Sequence, residues 1–344
     1  MPDSDVSPLR IRCDARALQA NFRWFAAKAG VPAAAAVKAD AYGTGVAGAV
    51  PALLAAGCTR FLVSSWAEAL AVPPLAAGLL VLHGFTADCA GAALALPQAR
   101  PVLNTMAQVA QWAQVFPART ADLMVDTGMN RLGIAPADVA AALALVPVHT
   151  LHSHLACADQ PGHPLNAVQL ACFGDLVAAT PHLAHNLANS AAVCLGRDWS
   201  FSGVRPGIGL YGGHPHEDAP GARVATPEAR VIQQRMVPAG QAVGYGAESM
   251  AAHDRRVAIV NIGYADGVPR GLGRHLFALA GDRRFPAVGR ISMDMLAIDV
   301  TGGDVAEGDW LALDWDLAAL SALSGFSEYE LLTGLSRRAP RRWQ

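Results

Sequence analysis

Through residue 226, short and mostly apolar runs alternate with Ala- and Leu-rich stretches whose apolar positions recur at helical spacing. The runs lie at residues 33–38, 60–64, 79–84, 100–103, 121–126, 150–154, 183–186 and 201–204. Apolar stretches of this length, without alternation, suit strands buried on both faces of a parallel sheet. Between them stand helix candidates such as residues 17–29, where Leu18, Phe22 and Phe25 share a face, and residues 136–145, with Asp138 near the start. Eight strands separated by helices predict an α/β fold with an N-terminal (β/α)8 TIM-like barrel. From Pro227 the texture changes to β-branched runs punctuated by Gly and Pro, at residues 230–237, 256–262, 285–291, 296–300 and 310–313. These predict a smaller, C-terminal mostly-β domain, so that the chain divides into residues 1–226 and 227–344.

A chain of 344 residues with 53% hydrophobic content has room for two domains and a large core. Charge adds little, since 26 basic against 28 acidic residues leave a net −2. The single basic cluster, Arg337, Arg338, Arg341 and Arg342, is no footprint for nucleic acid. Residues 41–59 and 69–87 are uncharged and long enough for a bilayer, but Pro51, Pro73, Pro74 and several glycines interrupt them, and Tyr42, Thr44 and His83 are polar. They are expected to be buried elements of a soluble protein. Asp3 and Asp5 stand where a secretory signal needs basic charge, which predicts a cytoplasmic location and no membrane partner. Six single cysteines without a C-x-x-C pair predict neither a disulfide framework nor a zinc site.

Lysine is nearly absent: only Lys28 and Lys38 are present, and arginine supplies the rest of the basic charge. A lysine kept in such a chain invites chemistry that arginine cannot perform, such as Schiff-base formation. Lys38 closes the first apolar run and would stand at the C-terminal mouth of a barrel, where active sites lie.

Gly43, Gly45 and Gly48 match G-x-G-x-x-G, and Glu68 follows twenty residues later, the pattern of a dinucleotide fold. The context argues against it, because the first glycine of such a turn leaves the strand directly, whereas Lys38–Tyr42 intervenes here and Pro51 falls within the following helix. His152-Ser-His154 has half of a metal-binding pattern but no third ligand at suitable spacing, so no metal is expected. His214-Pro-His216 lies in an acidic, Pro-rich loop and reads as exposed. Ser190 follows the seventh run and Gly207-Ile208 the eighth, which is where barrels bind phosphate through hydroxyls and backbone N–H groups.

Ala36-Val-Lys38-Ala-Asp40-Ala-Tyr42-Gly43 closely resembles the pyridoxal 5′-phosphate lysine motif of the alanine racemase family. The resemblance continues in Val125-Asp-Thr-Gly-Met-Asn-Arg131-Leu-Gly133, Leu187-Ala-Asn189-Ser190, Val204-Arg205-Pro-Gly207-Ile208, Ile262-Gly-Tyr264-Ala-Asp266 and Val288-Gly-Arg-Ile-Ser-Met293-Asp294. It implies a fold-type III pyridoxal-phosphate enzyme, a head-to-tail homodimer with shared active sites, and interconversion of L- and D-alanine. By resemblance Lys38 carries the cofactor, with Tyr42, His154, Asn189, Ser190, Arg205, Gly207 and Ile208 around it. Lys38 and Tyr264 would exchange the α-proton on opposite faces, Arg131 and the Met293 backbone would hold the substrate carboxylate, and Tyr264 and Met293 would face the Lys38 of the other chain. Arg205 would face the pyridine nitrogen, with His154 hydrogen-bonded to it and to the catalytic tyrosine. A guanidinium there only donates, which leaves a weak electron sink that suits racemisation better than transamination.

The chain departs from the family pattern twice. Met124 stands where many members carry a carbamate-modified lysine, and Arg337 stands where a tyrosine commonly narrows the substrate entrance. The second departure widens the expected reading to a racemase of broader specificity, acting for example on serine. A non-catalytic pyridoxal-phosphate protein is a further alternative, although related carriers consist of the barrel alone. A metal-assisted aldolase of the same fold would need a ligand pair near the C-terminus, and no histidine follows His275.

Overall fold

The computed structural model describes residues 6–73 and 78–344; Asp3, Asp5 and Pro74 lie outside the described residues. Two compact units are present. One holds residues 17–41 and 45–222, and the other holds the chain up to Arg16, Tyr42–Thr44 and Arg223–Gln344.

After an initial strand β1 (Leu9–Cys13), which belongs to the second unit, the first unit is built on seven parallel strands that pair in chain order. They are β2 (Ala35–Ala36), β3 (Arg60–Val63), β4 (Gly78–Val81), β5 (Ala99–Leu103), β6 (Ala121–Met124), β7 (Val148–His152) and β8 (Ala184–Asn186). Helices intervene as the apolar spacing predicts. In Ala15–Ala29 the buried face carries Leu18, Phe22 and Phe25. Ser65 and Thr105 cap the helices Trp66–Ala71 and Met106–Val115 by accepting the N–H groups of Glu68 and Gln108. Ala34, Leu62, Leu80, Val102 and Met124 pack together as one buried cluster drawn from successive strands. Each large aliphatic side chain buried there contributes about 1.5–3 kcal/mol.

The predicted eighth strand is reduced to two bridges. Gly203 bridges Asn186 and Val204 bridges Ala33, so this segment closes the ring between β8 and β2. The passage is too tight for a longer ladder. A Cβ on Gly203 would stand 2.8 Å from Asn186 Oδ1, and Pro206 has no N–H to continue the pairing.

In the second unit the long strand β9 (Ala225–Val237) pairs with β1, Arg255–Val260 and Trp310–Leu313. With Leu296–Asp299, Arg283–Val288 and Phe277–Ala280 these strands close a six-membered circuit. β1 lies outside that circuit, antiparallel to β9 and parallel to Arg341–Trp343. The sequence division at residue 226 leaves the N-terminal residues with the barrel, whereas the structure groups the stretch ending at Arg16 with the β unit. Leu9, Ile11 and Cys13 alternate inward with Arg10 and Arg12, the pattern of a half-buried antiparallel strand rather than of a barrel strand. Among the described residues, no helix is long and apolar enough to cross a membrane.

Candidate active site

Lys38 follows β2 at the C-terminal end of the barrel and opens an unusual turn. Ala39, Asp40, Ala41 and Tyr42 all have φ between 53° and 55°. Four successive non-glycine residues in the left-handed region cost about 1–2 kcal/mol each, so the surroundings must impose the shape. Glu68 does much of this: its Oε1 accepts the Ala39 N–H at 2.9 Å and its Oε2 the Ser64 N–H at 2.7 Å. Asp40 secures the exit, its Oδ1 accepting the Val46 N–H at 2.8 Å and its carbonyl the Gly45 N–H at 2.9 Å. The glycine pattern that imitates a nucleotide fingerprint is explained by this turn. Gly45 has φ 90°, and a Cβ on Gly43 would lie 2.4 Å from the Leu332 carbonyl oxygen within the β unit.

Burial, then the charge of Arg131 and to a smaller extent that of Arg205, hold the Lys38 amine below its ordinary range against the opposing charge of Glu68. Arg131 is carried by a loop tied at its base. Asp126 Oδ1 accepts the N–H groups of Gly128, Met129 and Asn130 at 2.8, 2.9 and 3.1 Å, and Val125 bridges Ile134. Gly133 allows the return, since a Cβ there would stand 2.5 Å from the Asp126 nitrogen. Met124, at the modified-lysine position of the family, is 7% exposed and packs among barrel apolar side chains, so it offers Arg131 no charge.

Arg205 is buried beneath the same mouth. Its Nη1 donates to His152 Nδ1 at 3.2 Å and to the Asn186 carbonyl at 2.6 Å, and its Nη2 donates to the Ser153 and Leu187 carbonyls at 2.5 and 3.4 Å. The histidine that contacts Arg205 is therefore His152, not His154 as the resemblance implies. His152 ends β7, and its ring lies inside the barrel, whereas His154 lies past the strand end. Burial and the charges of Arg205, Arg131 and Lys38 pull His154 down to about 3, so it is neutral at physiological pH. Four basic side chains thus share one electrostatic neighbourhood.

Ser190 opens the short helix Ser190–Leu195, with Asn189 Oδ1 accepting the Ala192 N–H at 3.0 Å. Ser190 Oγ accepts the Gly207 N–H at 2.8 Å and the Gly209 N–H at 3.3 Å, which draws the Gly207-Ile208 turn onto the start of that helix. Tyr211, at the end of Ile208–Tyr211, donates to the Ala36 carbonyl at 2.8 Å and braces β2 from behind.

In the β unit, Tyr264 and Met293 come from two stacked loops. The Tyr264 N–H donates to the Ser292 carbonyl and the Ala265 N–H to the Met293 carbonyl, both at 3.0 Å. Only glycine fits at position 263, where a Cβ would stand 2.3 Å from the Met293 carbonyl oxygen. Arg338 clamps the pair, with Nε donating to Asp266 Oδ1 at 2.6 Å and Nη2 to Asp294 Oδ1 at 2.6 Å. Tyr264 and Met293 are 43% and 54% exposed. Tyr42 is buried, its ring 6.2 Å from that of Tyr329, and burial followed by Tyr329 pushes its phenol up.

The chain matches the family models described as alanine racemase N-terminal domain over residues 13–215 and alanine racemase C-terminal domain over residues 224–343. The chain belongs to the alanine racemase family. It is 41% identical over 339 residues to an alanine racemase of Rhodospirillum rubrum, covering 91% of this chain and 89% of that protein. A catabolic alanine racemase of Agrobacterium fabrum is 37% identical, over 89% of this chain and 84% of that protein. Among solved structures, alanine racemase from Bartonella henselae with covalently bound pyridoxal phosphate superposes with a TM-score of 0.87 at 33% identity, covering 98% of this chain and 100% of that one. The biosynthetic alanine racemase of Pseudomonas aeruginosa gives 0.85 at 34%, covering 98% and 99%.

The sequence reading did not assign Glu68, Asp122 or His152 to the site, where the structure places them against Ala39 and Arg205 and against each other. Glu68 carried a signal in Ser65-Trp-Ala-Glu68, a helix-start pattern, but its role at Ala39 depends on two strand ends being neighbours. Asp122 carried another, because a carboxylate inside a buried strand demands a partner. At the second departure, Arg337 is exposed.

Proposed function

We propose that this protein is an alanine racemase that uses pyridoxal 5′-phosphate, carried on Lys38, to interconvert L- and D-alanine. Lys38 carries the reading: an amine at the barrel mouth, held below its ordinary pKa by burial and cationic neighbours, reaches the neutral form needed for attack on an aldehyde at a lower pH than an exposed lysine. The cationic neighbourhood suits an anionic group, and the Ser190 hydroxyl with the Gly207-Ile208 turn supplies a phosphate seat of the kind barrels place there. Within the Arg205 guanidinium, Nη1 and Nη2 are taken up by protein acceptors and Nε–H is not, which fits the lone pair of a pyridine nitrogen.

When bound, the cofactor supplies the electron sink that makes the α-hydrogen of an amino acid acidic. The protein then has three tasks. Arg131 holds the substrate carboxylate, assisted by the Met293 backbone. Lys38 Nζ removes or returns the proton on one face, and Tyr264 Oη does so on the other. Arg205 stays protonated and leaves the pyridine nitrogen as an acceptor, which keeps the sink weak and favours prompt return of the proton.

Tyr264 and Met293 are assigned to the site of a second copy of the chain, in a homodimer. Their exposure in the β unit, alongside the exposed Met295, supports an apolar contact surface there. Six free thiols suit a reducing compartment, and we place the enzyme in the cytoplasm. The test is racemisation followed polarimetrically with L-alanine and L-serine, with and without added cofactor. Cofactor-dependent loss of rotation with alanine is expected, and a cofactor-loaded protein inert towards alanine overturns the reading. Borohydride reduction and peptide mapping should place the pyridoxyl group on Lys38 and not on Lys28.

A further inference from the structure

A line of charge crosses the barrel interior beneath the site. Arg205 contacts His152 Nδ1 at 3.2 Å, His152 Nε2 lies 3.0 Å from Asp122 Oδ2, and Asp122 Oδ1 lies 3.0 Å from Arg100 Nε. His152 and Asp122 are both fully buried, and Arg205 is 7% exposed. Asp122 and Met124 sit two apart on β6, so both project to the same face, the one packed with apolar side chains around Met124. Interior layers of a barrel are normally filled by such side chains, and a carboxylate placed among them is costly unless it is paired.

We propose that Asp122 is a positioning residue for Arg205, acting through His152, and that this relay fixes the direction in which Arg205 offers its remaining N–H. The inference rests on the reading above, in which that N–H meets the cofactor. A guanidinium can only donate, so His152 Nδ1 must be the bare, accepting nitrogen. The proton then sits on Nε2, which donates to Asp122. Burial alone would raise the Asp122 carboxyl, but the hydrogen bond from His152 and the charge of Arg100 carry it below the usual range. Burial and Arg205 likewise keep His152 below its ordinary value, against the pull of Asp122. The carboxylate is therefore ionised and the imidazole neutral. Interposing a neutral ring has a consequence: the guanidinium is held by an oriented contact without a carboxylate against it, so its charge stays directed at the site. The carbonyls of Asn186, Ser153 and Leu187 complete the grip on Nη1 and Nη2.

The test separates orientation from packing. In cofactor-free protein labelled with 15N-histidine, the resonance that disappears in His152→Gln identifies His152. It should show protonated Nε2 and bare Nδ1 at neutral pH, and Asp122→Asn should shift it towards the other tautomer or a mixture. His152→Gln can still accept from Arg205 and donate to Asp122, whereas His152→Leu can do neither. In the loaded enzyme, kcat should stay within about threefold for His152→Gln and fall roughly 10- to 100-fold for His152→Leu and Asp122→Asn, with KM for alanine little changed, as expected of a misdirected group rather than a lost binding contact. A protonated Nδ1 in the unsubstituted protein, or a Gln variant as impaired as the Leu variant, overturns the relay. If the unsubstituted protein racemises nothing, the functional reading fails, and the tautomer measurement still decides the relay.

Discussion

Glu68 accepts the Ala39 N–H at 2.9 Å, one residue past the lysine assigned to the cofactor, and its other oxygen binds Ser64 at the end of the adjacent strand. One carboxylate therefore joins two strand ends and supports the left-handed turn. Glu68→Ala should lower unfolding free energy by about 2 kcal/mol, as expected for bonds to a charged acceptor, while Glu68→Gln, which keeps one carbonyl oxygen, should lose less. Urea titration of both variants checks the order. Equal losses would mean that the carboxylate has no bridging role.

The turn itself stores strain that a single residue can release. Ala39 has φ 53° and is exposed, so its Cβ adds strain without packing in return. Ala39→Gly should raise stability by about 0.5–1 kcal/mol, the left-handed penalty less the entropy lost by glycine. A thermal melt that falls instead would place Ala39 outside the left-handed region in solution.

Lys38 makes stability depend on pH in a definite direction. Its folded-state pKa lies below the ordinary 10.5. Between that lowered value and 10.5 the unfolded chain binds more protons than the native protein, so stability rises with pH across this window, and below it the buried ammonium is a net cost. Cofactor-free Lys38→Met should therefore melt above the cofactor-free parent at neutral pH, with the gap closing as the pH approaches 10.5. A gap that widens with pH would contradict the assigned environment.

Much of this was legible in the chain because the signals are local. Barrel strands buried on both faces read as apolar runs, and the turn at Lys38, the loop at Arg131 and the seat at Ser190 are contiguous segments whose glycines and caps mark them. What escaped is what the fold brings together across distance. Leu9–Cys13 is a short alternating strand whose partners begin at Ala225 and Arg341. The choice of His152 over His154 turns on where β7 ends, a boundary that periodicity does not fix. Asp122 becomes meaningful only when β5, β6 and β7 lie side by side and bring Arg100 and His152 to it.

Arg338 holds two loops through two carboxylates, and Asp266 is only 1% exposed. Arg338→Ala leaves Asp266 with the Gly263 N–H but without its cation. The cost should be about 1–3 kcal/mol, less than for a fully buried pair because Arg338 is itself half-exposed. Activity should fall further than stability explains, since the clamp sets the position of Tyr264. Arg338→Lys should recover little of it, because an ammonium cannot span both carboxylates as the fork does. Chemical unfolding and racemisation measured on the same preparations check both statements.

The assignment of Lys38 and Tyr264 to the same site but to different copies of the chain gives a test that needs no structure of the dimer. Lys38→Ala and Tyr264→Phe should each be nearly inactive, with losses on the order of 10²–10⁴-fold for Tyr264→Phe, the usual contribution of a positioned acid or base. In a mixed dimer of the two variants, one site receives the intact lysine from one chain and the intact tyrosine from the other, while the second site receives both substitutions. Co-expression at equal levels makes half of the dimers mixed, each with one working site of two, so the mixture should regain about a quarter of the normal activity. If each site instead drew both groups from a single chain, every site in every combination would carry one substitution, and mixing would restore nothing. Recovery must also depend on exchange: variants purified separately and combined should start inactive and gain activity only as subunits reassort, at the first-order rate of dimer dissociation and independently of protein concentration. Immediate full recovery on mixing would point to a loosely associated pair, and no recovery after complete reassortment, shown by mass-tagged chains, would remove Tyr264 from its partner's site.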